Sequence, residues 1–124
     1  MEEKRILIVD DDKVLLEMAR DALTREGYSV ITSDQSLGTS QKVAKIKPHL
    51  IVMDVSMPGL GGDRICKILK KSNINKEMKI LLYSSKGQDQ LKKLAAEAGA
   101  DDFLTKSNNF QELVEKVNSL LKNP

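Results

Sequence analysis

Residues 50–62 have the sequence LIVMDVSMPGLGG, a short apolar run that ends in a single carboxylate and a turn. Such a run is typical of a strand that is buried on both faces of a parallel sheet. Pro58 and three glycines follow Asp54 within eight positions, and these residue types favour a turn. Because an unpaired carboxylate is costly to remove from water, Asp54 is a candidate functional residue.

Apolar runs of this kind recur at regular spacing along the chain, and amphipathic patterns of helical length lie between them. The five predicted strands are RILIVD (5–10), YSVITS (28–33), HLIVMD (49–54), MKILLYS (78–84) and DFLT (102–105). The five predicted helices cover residues 13–26, 36–46, 62–71, 88–98 and 109–121. This alternation predicts an α/β fold in which a five-stranded parallel sheet has helices on both faces. We expect one domain that spans residues 1–124.

Two details of the helices are also predicted from the pattern. Asn108 is expected to cap the fifth helix, with Gln111 three residues later completing a capping box. The first helix is expected to bury the apolar residues Val14, Leu15, Met18, Ala22 and Leu23.

The composition excludes several classes of function. The 124 residues have a net charge of +2 and 3% aromatic content, which does not indicate a nucleic-acid partner. No apolar run approaches the roughly 20 residues of a membrane span, and the charged start, MEEKRILIVD, is unlike a signal peptide. Cys66 is the single cysteine, so burial is its expected role. We expect a cytoplasmic protein without direct nucleic-acid or membrane binding.

Polar residues follow the predicted strands at their carboxyl ends, where ligands bind in open parallel sheets. These residues are Asp10, Asp11 and Asp12 after the first strand, Asp54 after the third, Ser84 and Ser85 at the fourth, and Thr105 and Lys106 at the fifth. Converging carboxylates repel one another unless a cation joins them, and oxygen ligands favour a hard ion such as Mg²⁺. A hydroxyl and an ammonium suit the oxygens of a phosphoryl group. The pattern therefore predicts a Mg²⁺-dependent phosphoryl site with a carboxylate as nucleophile.

Four motifs in this order resemble the receiver domains of two-component response regulators: ILIVDDD, the Asp54–Met57–Pro58–Gly62 spacing, LLYSS and ADDFLTK. The resemblance spans the whole chain and implies a flavodoxin-like, doubly wound (βα)5 sandwich of the stand-alone, single-domain type. It implies a phosphorelay protein that phosphorylates itself, rather than a turnover enzyme on external substrates. A sensor histidine kinase or a histidine phosphotransfer protein would be the phosphoryl donor, and an unidentified protein target would respond.

The resemblance also implies roles for the acidic residues. Asp54 resembles the phospho-acceptor that attacks the phosphorus of a phosphohistidine. Asp10 and Asp11 resemble the acidic pair that holds Mg²⁺ together with Asp54. The main-chain carbonyl of Ser56, two residues after the acceptor, would complete the metal shell.

Three further positions match functional residues of the family, and a fourth departs from it. Ser84 and Lys106 match the hydroxyl and the ammonium that contact phosphoryl oxygens. Ser84 and Phe103 match the switch pair through which phosphorylation would reshape the face formed by helix 4, strand 5 and helix 5. Ser107 follows Lys106 where the family usually has proline, often after a cis peptide bond. We therefore expect a trans bond and a differently aimed loop here.

Three alternatives remain open on the sequence alone. Asp10 and Asp12 also fit the D-x-D-x-[TV] pattern of haloacid-dehalogenase-type phosphatases, with Asp10 as nucleophile and Asp12 as general acid/base. That interpretation leaves Asp54 and its Pro/Gly loop unexplained. The chain also fits a degenerate receiver that acts only as an interaction module. It fits equally the receiver of a longer regulator with a DNA-binding output domain.

Overall fold

The computed structural model describes residues 3–72 and 77–122, and in these residues strands and helices alternate as predicted. The strands are β1 (Arg5–Val9), β2 (Ser29–Ser33), β3 (Leu50–Met53), β4 (Lys79–Ser84) and β5 (Asp102–Thr105). The helices are α1 (Lys13–Arg25), α2 (Thr39–Ile46), α3 (Gly62–Ser72), α4 (Gln88–Ala98) and α5 (Phe110–Leu121). The predicted α/β class is confirmed.

The five strands form one parallel sheet in the order β2-β1-β3-β4-β5. The strand order reverses at β1, so the crevice expected to bind ligands lies at the carboxyl ends of β1 and β3. Val9 at the end of β1 is in register with Met53 at the end of β3. The next residue of each strand, Asp10 and Asp54, therefore lies at the same point of the sheet edge. Strand β2 lies at one edge of the sheet.

The sheet separates two apolar cores, because alternate strand residues point to opposite faces. Leu7, Ile51 and Leu82 pack on the side that α2, α3 and α4 cover. Ile8, Val52 and Leu81 pack on the side that α1 and α5 cover. All four residues of β3 are at most 1% exposed, which explains why LIVM shows no polar alternation. A strand buried on both faces fixes the position of the carboxylate that follows it.

The predicted buried face of α1 is partly wrong. Val14 is 68% exposed and Met18 is 50% exposed, so both lie on the solvent side of the helix. Leu16, Ala19 and Leu23 are the residues that α1 buries against the sheet. These positions have the spacing i, i+3 and i+7 of one helical face. The sequence contains two overlapping apolar stripes, and the rotation of α1 on the sheet determines which of them is covered.

Two helix starts also differ from the prediction. Helix α2 begins at Thr39 rather than at residue 36, because Gly38 has a left-handed φ of 82° that interrupts the helix. In α5 the capping residue is Asn109, whose side chain accepts a hydrogen bond from the Gln111 N–H at 2.9 Å. The predicted capping box with Asn108 is therefore wrong by one residue.

The burial of Cys66 agrees with the expectation from the sequence. Cys66 is fully buried in α3, and burial raises the pKa of its thiol to about 11. Such a thiol is a packing group rather than a reactive one. Among the described helices, none contains a segment both long enough and apolar enough to cross a bilayer.

Candidate functional site

The carboxyl edge of the sheet brings together the acidic residues that the sequence singled out. One carboxylate oxygen from each of Asp10, Asp11 and Asp54 lies within 4.8 Å of the others. Asp10 is 2% exposed and Asp54 is 6% exposed, whereas Asp11 is exposed to solvent. Two buried acids and one exposed acid form an oxygen-rich pocket that opens to solvent through Asp11. Such a donor set suits a hard cation.

Lys106, just after β5, brings one positive charge to this pocket. Its Nζ lies 2.7 Å from Oδ2 of Asp10 and 3.3 Å from Oδ2 of Asp54. Burial by itself would lower the pKa of Lys106, and it is the largest single effect. Hydrogen bonds and charge attraction from Asp10 and Asp54 outweigh burial and raise the pKa above its ordinary value of 10.5. The lysine is therefore a fixed positive charge between the two buried carboxylates.

Burial disfavours the ionised form of the Asp10 carboxylate. Burial raises the pKa of Asp10 above its ordinary value of 3.8, and the nearby Asp54 carboxylate adds to the rise. The Lys106 ammonium and the Asp12 N–H, which donates to Oδ1 of Asp10 at 3.0 Å, oppose the rise without cancelling it. A charged Asp10 therefore costs folding free energy when no cation other than Lys106 is present.

Asp54 is held by main-chain hydrogen bonds on both sides. Its N–H donates to the Val9 carbonyl at 3.2 Å, and its own carbonyl accepts the Gly62 N–H at 2.9 Å. The Ser56 N–H donates to Oδ1 of Asp54 at 3.2 Å, which orients the carboxylate in a tight Asx turn. Oδ1 is thus engaged by the turn, and Oδ2 faces Lys106. This is the arrangement expected of a preorganised reactive group.

The other predicted site residues lie at the same edge with different contacts. Ser84 is fully buried at the end of β4, and its Oγ accepts the Lys86 N–H at 3.4 Å. Phe103 is half-buried in β5 and packs against the core beneath α2, α3 and α4. Ser56 is exposed in the loop after β3. Their predicted roles in phosphoryl binding, switching and metal binding stay predictions.

Asp12 lies outside the acidic pocket. Its side chain caps α1 by accepting the N–H groups of Val14 and Leu15, each at 3.1 Å. An N-terminal cap of this kind stabilises the helix. With its carboxylate used as a cap, Asp12 is a poor candidate for the general acid/base of the phosphatase interpretation.

Tyr83 is a site residue that the sequence pattern did not identify. Its ring lies beneath the Lys106 ammonium, with 5.8 Å from Nζ to the ring centroid, and it is only 2% exposed. A cation at this distance from an aromatic face is attracted to it. In the sequence Tyr83 belongs to the apolar run KILLYS, so nothing distinguished it from a core residue.

The tyrosines provide a pH prediction. Burial, with smaller contributions from Asp10 and Glu112, raises the pKa of Tyr83 to about 12. Burial also raises the pKa of Tyr28 above 10.0, with a contribution from Glu26. The folded state therefore favours the neutral phenols, and stability falls as the pH rises from 10 towards 12 because unfolded tyrosine ionises first.

Phenolate absorbance followed against pH, with circular dichroism as the monitor of folding, measures this effect. In the folded protein both tyrosines are expected to ionise above the ordinary tyrosine pKa. Tyr83→Phe is expected to remove the part of the absorbance titration curve at the highest pH. The matched variant Tyr28→Phe is expected to leave that part in place. Titration of both tyrosines at pH 10.0 in the folded protein would contradict the assignment.

A second prediction concerns Asp10. Because burial penalises the charged carboxylate, Asp10→Asn is expected to raise the free energy of unfolding by about 1 kcal/mol at neutral pH without added metal. The amide keeps the hydrogen bond from the Asp12 N–H, and Lys106 keeps its contact with Asp54. The same change is expected to weaken Mg²⁺ binding at least about tenfold.

Denaturant unfolding in the presence of a chelator, together with Mg²⁺ titration by calorimetry, measures both effects. Asp11→Asn is the matched control, because Asp11 belongs to the same acidic set but is exposed. It is expected to weaken Mg²⁺ binding with little change in stability. A lower unfolding free energy for Asp10→Asn without metal would show that the Lys106 ion pair outweighs the cost of burial.

Three converging carboxylates and a lysine thus lie at the carboxyl edge of this parallel five-stranded sheet, a set of groups that suits a hard cation and phosphoryl oxygens. The family model for the response regulator receiver domain matches residues 6–118. The chain belongs to this family and is a receiver domain of the two-component type.

Individual relatives agree with this assignment. The alkaline phosphatase synthesis transcriptional regulatory protein PhoP of Bacillus subtilis is 35% identical over 119 residues, which are 96% of this chain and 49% of PhoP. A solved structure of a putative response regulator from Chloroflexus aurantiacus has a TM-score of 0.90 at 33% identity, covering 98% of this chain and 100% of that one. The TrrA response regulator of Thermotoga maritima, solved in complex with Mg(2+)-BeF, has a TM-score of 0.84 at 34% identity. The match covers 95% of this chain and 99% of the TrrA chain.

The chain spans about half the length of the curated relatives it matches, with 49% of PhoP and 52% of the Pseudomonas aeruginosa PhoB covered. Family membership decides against the haloacid-dehalogenase interpretation, since the match includes the β3 segment that the phosphatase pattern left unexplained.

Proposed function

We propose that Asp54 accepts a phosphoryl group and that the phosphorylated domain signals to a protein partner. One observation carries the proposal most directly. The buried Asp54 carboxylate lies beside an ammonium 3.3 Å away and within 4.8 Å of two further carboxylates, at the carboxyl edge of the sheet. A structural carboxylate needs one partner, whereas this cluster has the charges that a transferred phosphoryl group requires.

The proposed step is an in-line displacement at phosphorus. A carboxylate oxygen of Asp54 forms a bond to the phosphorus of a phosphohistidine, and the P–N bond breaks. The electron pair of that bond stays with the histidine nitrogen, which takes a proton from solvent. Lys106 would contact one phosphoryl oxygen and offset the added negative charge, and the Ser84 hydroxyl would donate to another.

The residues present fit a Mg²⁺ ion. Asp10, Asp11 and Asp54 supply carboxylate oxygens only, and Mg²⁺ characteristically takes one or two carboxylates with waters and phosphate oxygens. We propose these three residues, with the main-chain carbonyl of Ser56, as the ligands. When bound, the ion supplies charge neutralisation for the phosphoryl oxygens. The Mg(2+)-BeF complex of the related TrrA supports this choice of ion.

A surface next to the acidic pocket fits the partner that donates the phosphoryl group. A cleft of about 480 Å³ lies beside Lys106, with the exposed apolar side chains of Val14 and Met18 on one wall and Phe110 on the other. Exposed apolar residues beside a reactive group suit a partner that must bring its own reactive side chain close. We propose a sensor histidine kinase or a histidine phosphotransfer protein as this partner, in the cytoplasm.

The response is proposed to pass through Ser84 and Phe103 to the surface formed by α4, β5 and α5. Phosphorylation replaces about one negative charge at Asp54 by two. The Ser84 hydroxyl would then turn towards the phosphoryl oxygens, and Phe103 would pack into the space it leaves. The domain is proposed to act as a switch, not as an enzyme with turnover on external substrates.

The length of the relatives supports a second possibility for the output. PhoP and PhoB are transcriptional regulatory proteins, and 119 residues of this chain match about half the length of each. We propose residues 1–124 as one receiver unit, and its target as either a separate protein or an attached output domain.

The test is phosphorylation by a small phosphodonor. The protein is incubated with acetyl phosphate and Mg²⁺, and the modified residue is located by mass spectrometry under conditions that preserve acyl phosphates. Modification at Asp54 that requires Mg²⁺ is expected. Modification at Asp10 would overturn the assignment of the acceptor. A folded protein that takes no phosphate would support the degenerate, interaction-only receiver.

A further inference from the structure

Ser107 follows Lys106 in the loop between β5 and α5, where its hydroxyl forms two hydrogen bonds. Its Oγ donates to Oε1 of Glu112 at 2.6 Å and accepts the Asn109 N–H at 3.1 Å. The Glu112 N–H in turn donates to the Asn109 carbonyl at 3.2 Å. These three hydrogen bonds join the loop to the first turn of α5.

The same loop begins at Lys106, whose main chain is fixed on the other side. The Lys106 N–H donates to the Ser84 carbonyl at 2.7 Å. Thr105 Oγ1 donates to the Lys86 carbonyl at 3.1 Å, which joins the end of β5 to the loop after β4. Three residues separate Lys106 from the first residue of α5, so a shift of this loop moves the base of the lysine side chain.

The peptide bond between Lys106 and Ser107 is trans, as are all peptide bonds of the described chain. Nζ of Lys106 points into the acidic pocket, 2.7 Å from Asp10 and 3.3 Å from Asp54. The loop that carries this lysine is held without a proline ring after it. The Ser107–Glu112 hydrogen bond is the contact that joins the residue after Lys106 to α5.

We propose that Ser107 is a positioning residue for phosphoryl transfer: through Glu112 it holds the β5–α5 loop so that Lys106 points into the acidic pocket. The phosphorylation part of this inference rests on the proposed function of Asp54. The effect acts on the lysine and not on the phosphoryl group, since Ser107 is exposed at the outer side of the loop. A hydroxyl-to-carboxylate bond is charge-assisted and stronger than a neutral one.

The test compares Ser107→Ala with the conservative Ser107→Thr, which keeps the hydroxyl. Two quantities are measured: the rate of phosphorylation by acetyl phosphate with Mg²⁺, and hydrogen exchange of the Lys106 amide, which bonds to the Ser84 carbonyl. Ser107→Ala is expected to slow phosphorylation about tenfold, because small displacements of catalytic groups have large kinetic effects. Ser107→Ala is also expected to speed hydrogen exchange at the Lys106 amide. Ser107→Thr is expected to restore the wild-type phosphorylation rate and the wild-type exchange rate.

Ser119→Ala is the matched control. Ser119 is an exposed serine of the same helix, and its Oγ donates to the Lys116 carbonyl at 2.8 Å without contact to the loop. It is expected to change neither quantity. A residue that only capped α5 would alter exchange at the Gln111 and Glu112 amides and leave Lys106 and the phosphorylation rate unchanged.

The outcomes separate this inference from the proposed function. Wild-type phosphorylation rates in Ser107→Ala, or changes confined to α5 amides, overturn the positioning role. If the wild-type protein takes no phosphate, the proposed function fails. The exchange measurement then decides alone: faster Lys106 exchange in Ser107→Ala supports the positioning role, and unchanged exchange overturns it.

Discussion

Replacing Asp54 by Asn is expected to reduce phosphorylation by acetyl phosphate and Mg²⁺ at least about a thousandfold, because the amide is not a nucleophile. The change is nearly isosteric. The amide oxygen can still accept the Ser56 N–H, and Lys106 keeps its 2.7 Å contact with Asp10. The fold should therefore be retained, and the loss of phosphorylation would report on the acceptor itself. Intact-mass spectrometry of the incubated protein measures it.

Asp34→Asn is the matched control for this experiment. Asp34 is an exposed acid just after β2, and it forms an ion pair with Lys13 at 3.6 Å, away from the acidic pocket. It is expected to be phosphorylated at the wild-type rate. Phosphorylation of Asp54→Asn at an undiminished rate would mean that another residue accepts the phosphoryl group.

The second large effect is expected for Gly62→Ala, which should lower the free energy of unfolding by about 3 kcal/mol or more. A Cβ at Gly62 would overlap the main-chain carbonyl oxygen of Asp54 and lie 3.0 Å from Cβ of Met53. Neither atom is the end of a flexible side chain, so the backbone around Asp54 must move. The Gly62 N–H also donates to that same carbonyl, so relieving the overlap disturbs a hydrogen bond that holds the acceptor.

Gly87→Ala is the control for the general effect of removing a glycine. A Cβ at Gly87 meets no atom within 4 Å, and its φ of −60° is open to any residue. We expect Gly87→Ala to change the free energy of unfolding by no more than about 1 kcal/mol. The reduced flexibility of the unfolded chain offsets the weaker N-cap of α4. Urea unfolding of both variants measures the difference. Equal stabilities would refute the close-packing argument.

The order and type of the elements could be predicted from the sequence because strands and helices differ in length and periodicity. The rotation of α1 could not, because Val14 and Met18 continue an apolar stripe as well as Leu16 and Ala19 do. Only the shape of the sheet surface distinguishes the two faces. The predicted N-cap of α5 was wrong by one residue for a similar reason. Asn108 and Asn109 are both suitable N-cap residues, and contacts of the loop select Asn109.

The acidic residues of the site could be found from the sequence because parallel strands end at one edge of the sheet. Tyr83 and Ser107 could not, since their contacts join residues whose pairing depends on side-chain direction. Tyr83 faces Lys106 from another strand, and Ser107 reaches Glu112 five positions later. The roles of Ser84, Phe103 and Ser56 stay predictions that the phosphorylation experiments address.

The contact of Lys106 with both Asp10 and Asp54 has a consequence for metal binding. The lysine is a tethered competitor: it is present at a high effective concentration and occupies carboxylate oxygens that an incoming cation must share. On the proposed ligand set, the apparent Mg²⁺ affinity equals the intrinsic affinity reduced by this internal occupancy. We expect a chain with a more mobile Lys106 to bind the ion more tightly at rest and, on the proposed role of Lys106, to contact the transferred phosphoryl group less firmly. We therefore propose that this one side chain changes the two affinities in opposite directions.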